Sequence, residues 1–68
     1  MNYFEWSQEY LQTANQLDRV LERLQTERAG ASESVKKELS KRILFYRSCR
    51  RDCLEIADIL MDRCRGVA

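Results

Sequence analysis

The sequence contains no histidine, no proline and only two glycines, Gly30 and Gly66, among its 68 residues. Without histidine, the side chain most often used for general acid–base work and metal ligation is missing. Without proline, nothing breaks a long helix from within. The glycines are too few to interrupt more than one or two places. No apolar run approaches the roughly eighteen residues of a membrane span. The opening Met1-Asn2-Tyr3-Phe4-Glu5-Trp6 lacks the basic region and apolar core of a secretory signal. The closing Arg65-Gly66-Val67-Ala68 carries no lipidation motif. No charge dominates either, with 12 basic residues against 11 acidic and a net charge of +1. A chain given over to nucleic-acid binding leans further positive. The three cysteines, Cys49, Cys53 and Cys64, are an odd number with no secretion signal. They point to free thiols in a reducing cytoplasm.

What the chain does have is helical periodicity. Val35, Leu39, Tyr46, Cys49, Cys53, Ile56 and Leu60 recur at three- and four-residue steps, and Arg42 is the one polar member of the series. Such spacing makes one stripe on a continuous helix. Tyr10, Ala14, Leu17, Leu21 and Leu24 make a similar seam earlier in the chain, with Trp6 and Tyr3 extending it. Asn2 is placed to cap the first helix, with Glu5 three residues on as in a capping box. The stretch Ala29–Ser34 is the only break. Gly30 is expected there in the left-handed conformation that ends a helix, and Ser32 as the next cap, with Ser34 the alternative. Gly66 is expected to stop the second helix, with Arg63 and Arg65 near its negative end. The reading is one domain, residues 1–68. A helix spans about 2–28, a turn about 29–32 and a second helix about 33–65. So short a connection makes the helices antiparallel neighbours.

Size then becomes the constraint. Ordering residues at roughly 1.5 kcal/mol each demands on the order of 4,000 Å² of apolar burial in balance, at about 25 cal/mol per Å². Two helices touching along one seam fall short of that. The second helix also has apolar side chains away from its stripe. Leu44, Phe45, Leu54, Ile59 and Met61 spread around its other faces, where Phe45 and Ile59, two heptads apart, share one side and Leu54 and Met61, one heptad apart, share another. These five residues are the candidate oligomer or partner interface. The expected fold is therefore an all-α antiparallel two-helix hairpin, dimerising into a four-helix bundle.

Chemistry has little to stand on. There is no nucleophile elbow and no glycine-rich phosphate loop. Asp52, Glu55, Asp58 and Asp62 form a carboxylate stripe, but the Glu-x-x-His of di-metal bundles is absent. The three cysteines share one helical face, yet a zinc site takes four ligands. They read as small buried hydrophobes. No enzyme, metal or cofactor is expected. The most distinctive charge feature is Lys36, Lys37, Lys41, Arg42, Arg47, Arg50 and Arg51 against Glu38 alone, a local charge of +6, while residues 2–28 and 52–65 each sum to −2. All but Arg42 are candidate phosphate contacts. The alternative is a solvated face pairing with acids elsewhere. Arg42, on the stripe, is expected to lay its stem across the core and reach Asp18 or Glu22.

Glu9-Tyr-Leu-Gln-Thr-Ala14, followed by Leu17-Asp18, resembles the opening of short helical-hairpin proteins of phages and integrated mobile elements of Gram-positive bacteria. Arg42-Ile43, Tyr46-Arg47, Cys53 and Ala57-Asp58-x-Leu60 resemble their second helix. The resemblance implies a helical fold and a mobile-element setting, and no activity. The secreted WXG-type hairpins need Trp-x-Gly at the turn, whereas Trp6 is followed by Ser7-Gln8 near the N-terminus. The functional expectation is a non-catalytic helical interaction module of the cytoplasm, partnered by a second copy or another helical protein. The alternative is a nucleic-acid-associated regulator using the basic face.

Overall fold

In a computed structural model, which describes residues 2–66, α1 (Tyr3–Ala29) and α2 (Glu33–Cys64) pack side by side as an antiparallel hairpin. The rod measures 51 × 16 × 14 Å. Val67 and Ala68, read above for a lipidation signal, lie outside the described residues. Among the described residues no helix is long and apolar enough to cross a membrane.

Each helix begins where the sequence places a cap. Asn2 Oδ1 accepts from the N–H groups of Phe4 and Glu5 at 3.0 and 3.2 Å. Two of the unsatisfied donors at the start of α1 are thereby paired. Ser32 caps α2 through its carbonyl, which accepts from Lys36 N–H at 2.8 Å, but its hydroxyl makes no capping bond. The turn departs from expectation. Gly30 sits at φ −102° and ψ 9°, outside the left-handed region. Its N–H donates to Glu27 O and that of Ala31 to Arg28 O, at 3.3 and 3.2 Å. These three-residue closures tighten the last turn of α1, and no positive φ is needed. At the other end Gly66 does take φ 71°, as the stop after α2.

The register is even from turn to termini. Arg28 meets Ser40, Asp18 meets Arg50 and Ser7 meets Met61. Ten residues separate Arg28 from Asp18 and Ser40 from Arg50; eleven separate Asp18 from Ser7 and Arg50 from Met61. The two helices therefore advance past each other without slippage.

The core lies along this seam, with Leu21, Leu24, Leu39 and Ile43 clustered near the turn and Val20, Ala31 and Tyr46 packed against them. Ala14, Ala57 and Leu60 continue it toward the termini. In α2 the buried line runs through Leu39, Ile43, Tyr46, Arg50, Cys53, Ala57 and Leu60. It is offset from the stripe expected above. Val35, Arg42 and Ile56 fall outside it and are exposed, while Ile43 and Ala57, which that stripe left out, are buried. Arg50 thus replaces Arg42 as the polar member. In α1, Ser7 rather than Trp6 continues the seam: Ser7 is fully buried and Trp6 is exposed. The reason is size. Ser7 lets α2 approach closely, and its hydroxyl stays satisfied within its own helix by donating to Phe4 O at 2.6 Å, with Met61 Sδ at 3.1 Å.

Candidate interaction surface

Helical geometry sorts the remaining side chains of α2 onto two sides of its buried line. At about 100° per residue, Leu44, Arg47 and Arg51 fall on one side. Phe45, Cys49 and Ile56 fall on the other.

The first side is a charged groove. Its walls are Asp18, Glu22 and Gln25 from α1 and Leu44, Arg47 and Arg51 from α2. Toward the turn it continues between Arg28, Ser40 and Ile43, where Arg28 Nε donates to Ser40 Oγ at 2.8 Å. Arg50 reaches into it to pair with Asp18. The carboxylate oxygen lies close to Arg50 Nε, but that buried nitrogen has no hydrogen bond of ordinary geometry. The contact is an ion pair rather than a directed bond.

The candidate phosphate contacts are partly spoken for. Lys36 lies 3.8 Å from Glu33 and Lys41 3.6 Å from Glu38, each pairing across one helical turn. Arg50 is held by Asp18. Lys37, Arg47 and Arg51 are exposed. The neighbours Glu33 and Glu38 thus dilute the basic face at the turn end, whereas Arg47 and Arg51 stand together in the groove.

The opposite side is the more apolar one, with exposed Arg42 and Asp52 of α2 and Glu9 of α1 among the charged side chains it also carries. Phe45 is 63% exposed and meets Tyr46 edge-on, with ring centroids 5.5 Å apart and planes at 73°. Cys49 and Cys53 are half-buried beside it and Ile56 is exposed. The same side of α1 presents Val20 and Trp6, with Tyr10 and Thr13 next to Trp6. Ile59, 54% exposed, lies further round α2. Of the five candidate interface residues, Leu44, Phe45 and Ile59 project into solvent. Leu54 and Met61 are half-buried, with Met61 against Ser7.

The thiols are all free, and Cys64 is exposed. With Met61 opposite Ser7, Cys64 stands opposite the first turn of α1, where little of the partner helix remains to cover it. Among the described residues no three His, Cys, Asp or Glu side chains converge as a metal-binding group. Asp52, Glu55 and Asp58 are exposed, and Asp62 lies 3.7 Å from Arg65.

In comparison with known proteins, no family model, no curated protein and no solved structure matches this chain.

Proposed function

We propose that this chain is a non-catalytic helical interaction module of the cytoplasm, whose working form is a pair of hairpins joined as a four-helix bundle. The supporting observation is the surface it leaves to water. The chain exposes 5372 Å², where a folded monomer of its mass ordinarily exposes about 4,500 Å². Its radius of gyration is 15.6 Å against about 11 Å for a compact domain of this length. Leu44, Phe45 and Ile59 are each more than half exposed. Large apolar side chains left in water in this way are what a second protein surface would cover. The mobile-element resemblance gives the module a setting, as an accessory or structural protein of such an element.

Light scattering over a dilution series tests the proposal. The wild-type chain is expected as a dimer that dissociates on dilution, and Phe45→Glu is expected to dissociate at higher concentration. A wild-type chain whose mass never exceeds one copy contradicts it.

A second reading rests on Arg47 and Arg51 standing side by side in the charged groove. In that reading the module contacts nucleic-acid phosphate through this edge. A gel shift whose affinity falls steeply with salt supports it, and no shift at low salt removes it.

A further inference from the structure

The fold separates charge along the length of the rod. The Asp18–Arg50 pair crosses the hairpin near its middle. Residues 18–50, which make up the turn half, carry nine lysines and arginines against five acids. Residues 2–17 and 51–66, which make up the terminal half, carry six acids against three arginines. The side-chain charge is therefore +4 at one end of a 51 Å rod and −3 at the other. Opposite charge at this spacing is scarcely neutralised within the rod, because the two ends lie several Debye lengths apart at physiological salt.

We infer that two copies pair head to tail, each turn half lying along the other's terminal half, through the side that carries Phe45, Cys49 and Ile56. This rests on the self-association proposed above and specifies its orientation. Three observations support it. Charge complementarity is the first: side by side in the same direction, two rods would set +4 against +4 and −3 against −3, whereas reversed they set each end against its opposite. Such arrangement across an interface selects the right geometry more than it adds affinity. The second is area. A 51 × 16 Å flank outlines about 800 Å², the share that one partner contributes to a standard protein interface. The third is the two-fold geometry. A head-to-tail pair has its axis at mid-rod, and a residue at the axis meets itself. Cys49, one position from Arg50 and half-buried on the apolar side, stands there. Phe45 of one copy then falls opposite the small Cys53 of the other, a large ring against a small side chain.

The orientation is read by distance. Cys64 is exposed at the terminal end of α2. A Cys49→Ala, Cys53→Ala chain carrying a nitroxide on Cys64 places one label on each copy. Head-to-tail pairing is expected to give a label separation near the 51 Å rod length. A parallel pair gives no more than about two helix diameters, roughly 20 Å, and that result overturns the inference while leaving self-association standing. No dipolar signal, with a mass of one copy, overturns both. The unmodified chain supplies a second measurement that needs no substitution. Raising salt from 0.1 to 1 M shortens the Debye length from about 10 to about 3 Å and is expected to weaken the dimer by roughly tenfold, as loss of a few exposed charge pairs implies. Association that strengthens with salt contradicts head-to-tail pairing. So does a duplex DNA that, added at low salt, dissolves the dimer, since the basic half is then the nucleic acid's.

Discussion

Arg50 crosses the hairpin to Asp18, and this arginine, not Arg42, occupies the polar step of the α2 seam. Both partners keep roughly 40 to 50% of their side-chain surface in water. An ion pair so exposed contributes at most about 1 kcal/mol, so much of the role of Arg50 is its stem, which covers apolar surface between the helices. Arg50→Ala is expected to destabilise the hairpin by about 1 kcal/mol. Arg42→Ala is expected to stay within about 0.5 kcal/mol, as surface substitutions do. Thermal unfolding of the two variants compares them. A larger loss from Arg42→Ala contradicts the assigned register.

Gly30 holds its turn without using the freedom that glycine provides. Its φ is negative, and a Cβ built on it meets nothing within 4 Å. Gly30→Ala is therefore expected to stabilise the chain by about 0.4–1 kcal/mol through the unfolded state. Denaturant titration measures this, and a loss of stability shows that the turn samples a positive φ.

Ser7 sets how closely the helices approach at the terminal end. Its hydroxyl bonds within its own helix and its side chain is fully buried against Met61. Ser7→Ala is expected to be tolerated within about 1 kcal/mol. Ser7→Leu, which adds volume where none is free, is expected to cost about 1–3 kcal/mol. Equal unfolding midpoints for the two variants contradict close packing at this point.

The thiols rank by exposure. Cys64 is expected to react first with an aromatic disulfide reagent, and Cys49 and Cys53 more slowly because they are half-buried. Mass mapping of partly labelled protein reads the order. Cys49 reacting as fast as Cys64 places the apolar side in water, uncovered by any second copy.

Much of the fold was legible in the residues, because helical period, caps and a short break are local signals. Asn2 before an acidic first turn and Ala14, Leu17, Leu21 and Leu24 at three- and four-residue steps needed no partner to be read. The seam of α2 was harder. The series Val35–Leu39–Arg42–Tyr46 and the series Leu39–Ile43–Tyr46–Arg50 are both apolar lines interrupted by one arginine, so hydropathy alone does not choose between them. The choice is made across the hairpin, where Asp18 stands opposite Arg50 and fully buried Ser7 opposite Met61. Serine carries a weak burial signal by itself, which is why Trp6 drew the reading one position away. Gly30 was misread because composition cannot tell a left-handed stop from a three-residue closure. The charge polarity of the rod was hidden for a different reason. Residues 18–50 are continuous in sequence, but that they form one end of a molecule follows only once the chain has turned back on itself.

The proposed pairing of hairpins rests on the apolar side chains that a lone hairpin leaves in water, and sedimentation equilibrium on the full chain measures it. At micromolar concentration the expected mass is twice that of the 8.1 kDa chain, with an unfolding midpoint that rises with concentration. A single 8.1 kDa species at every concentration, unfolding cooperatively at one fixed temperature, contradicts it.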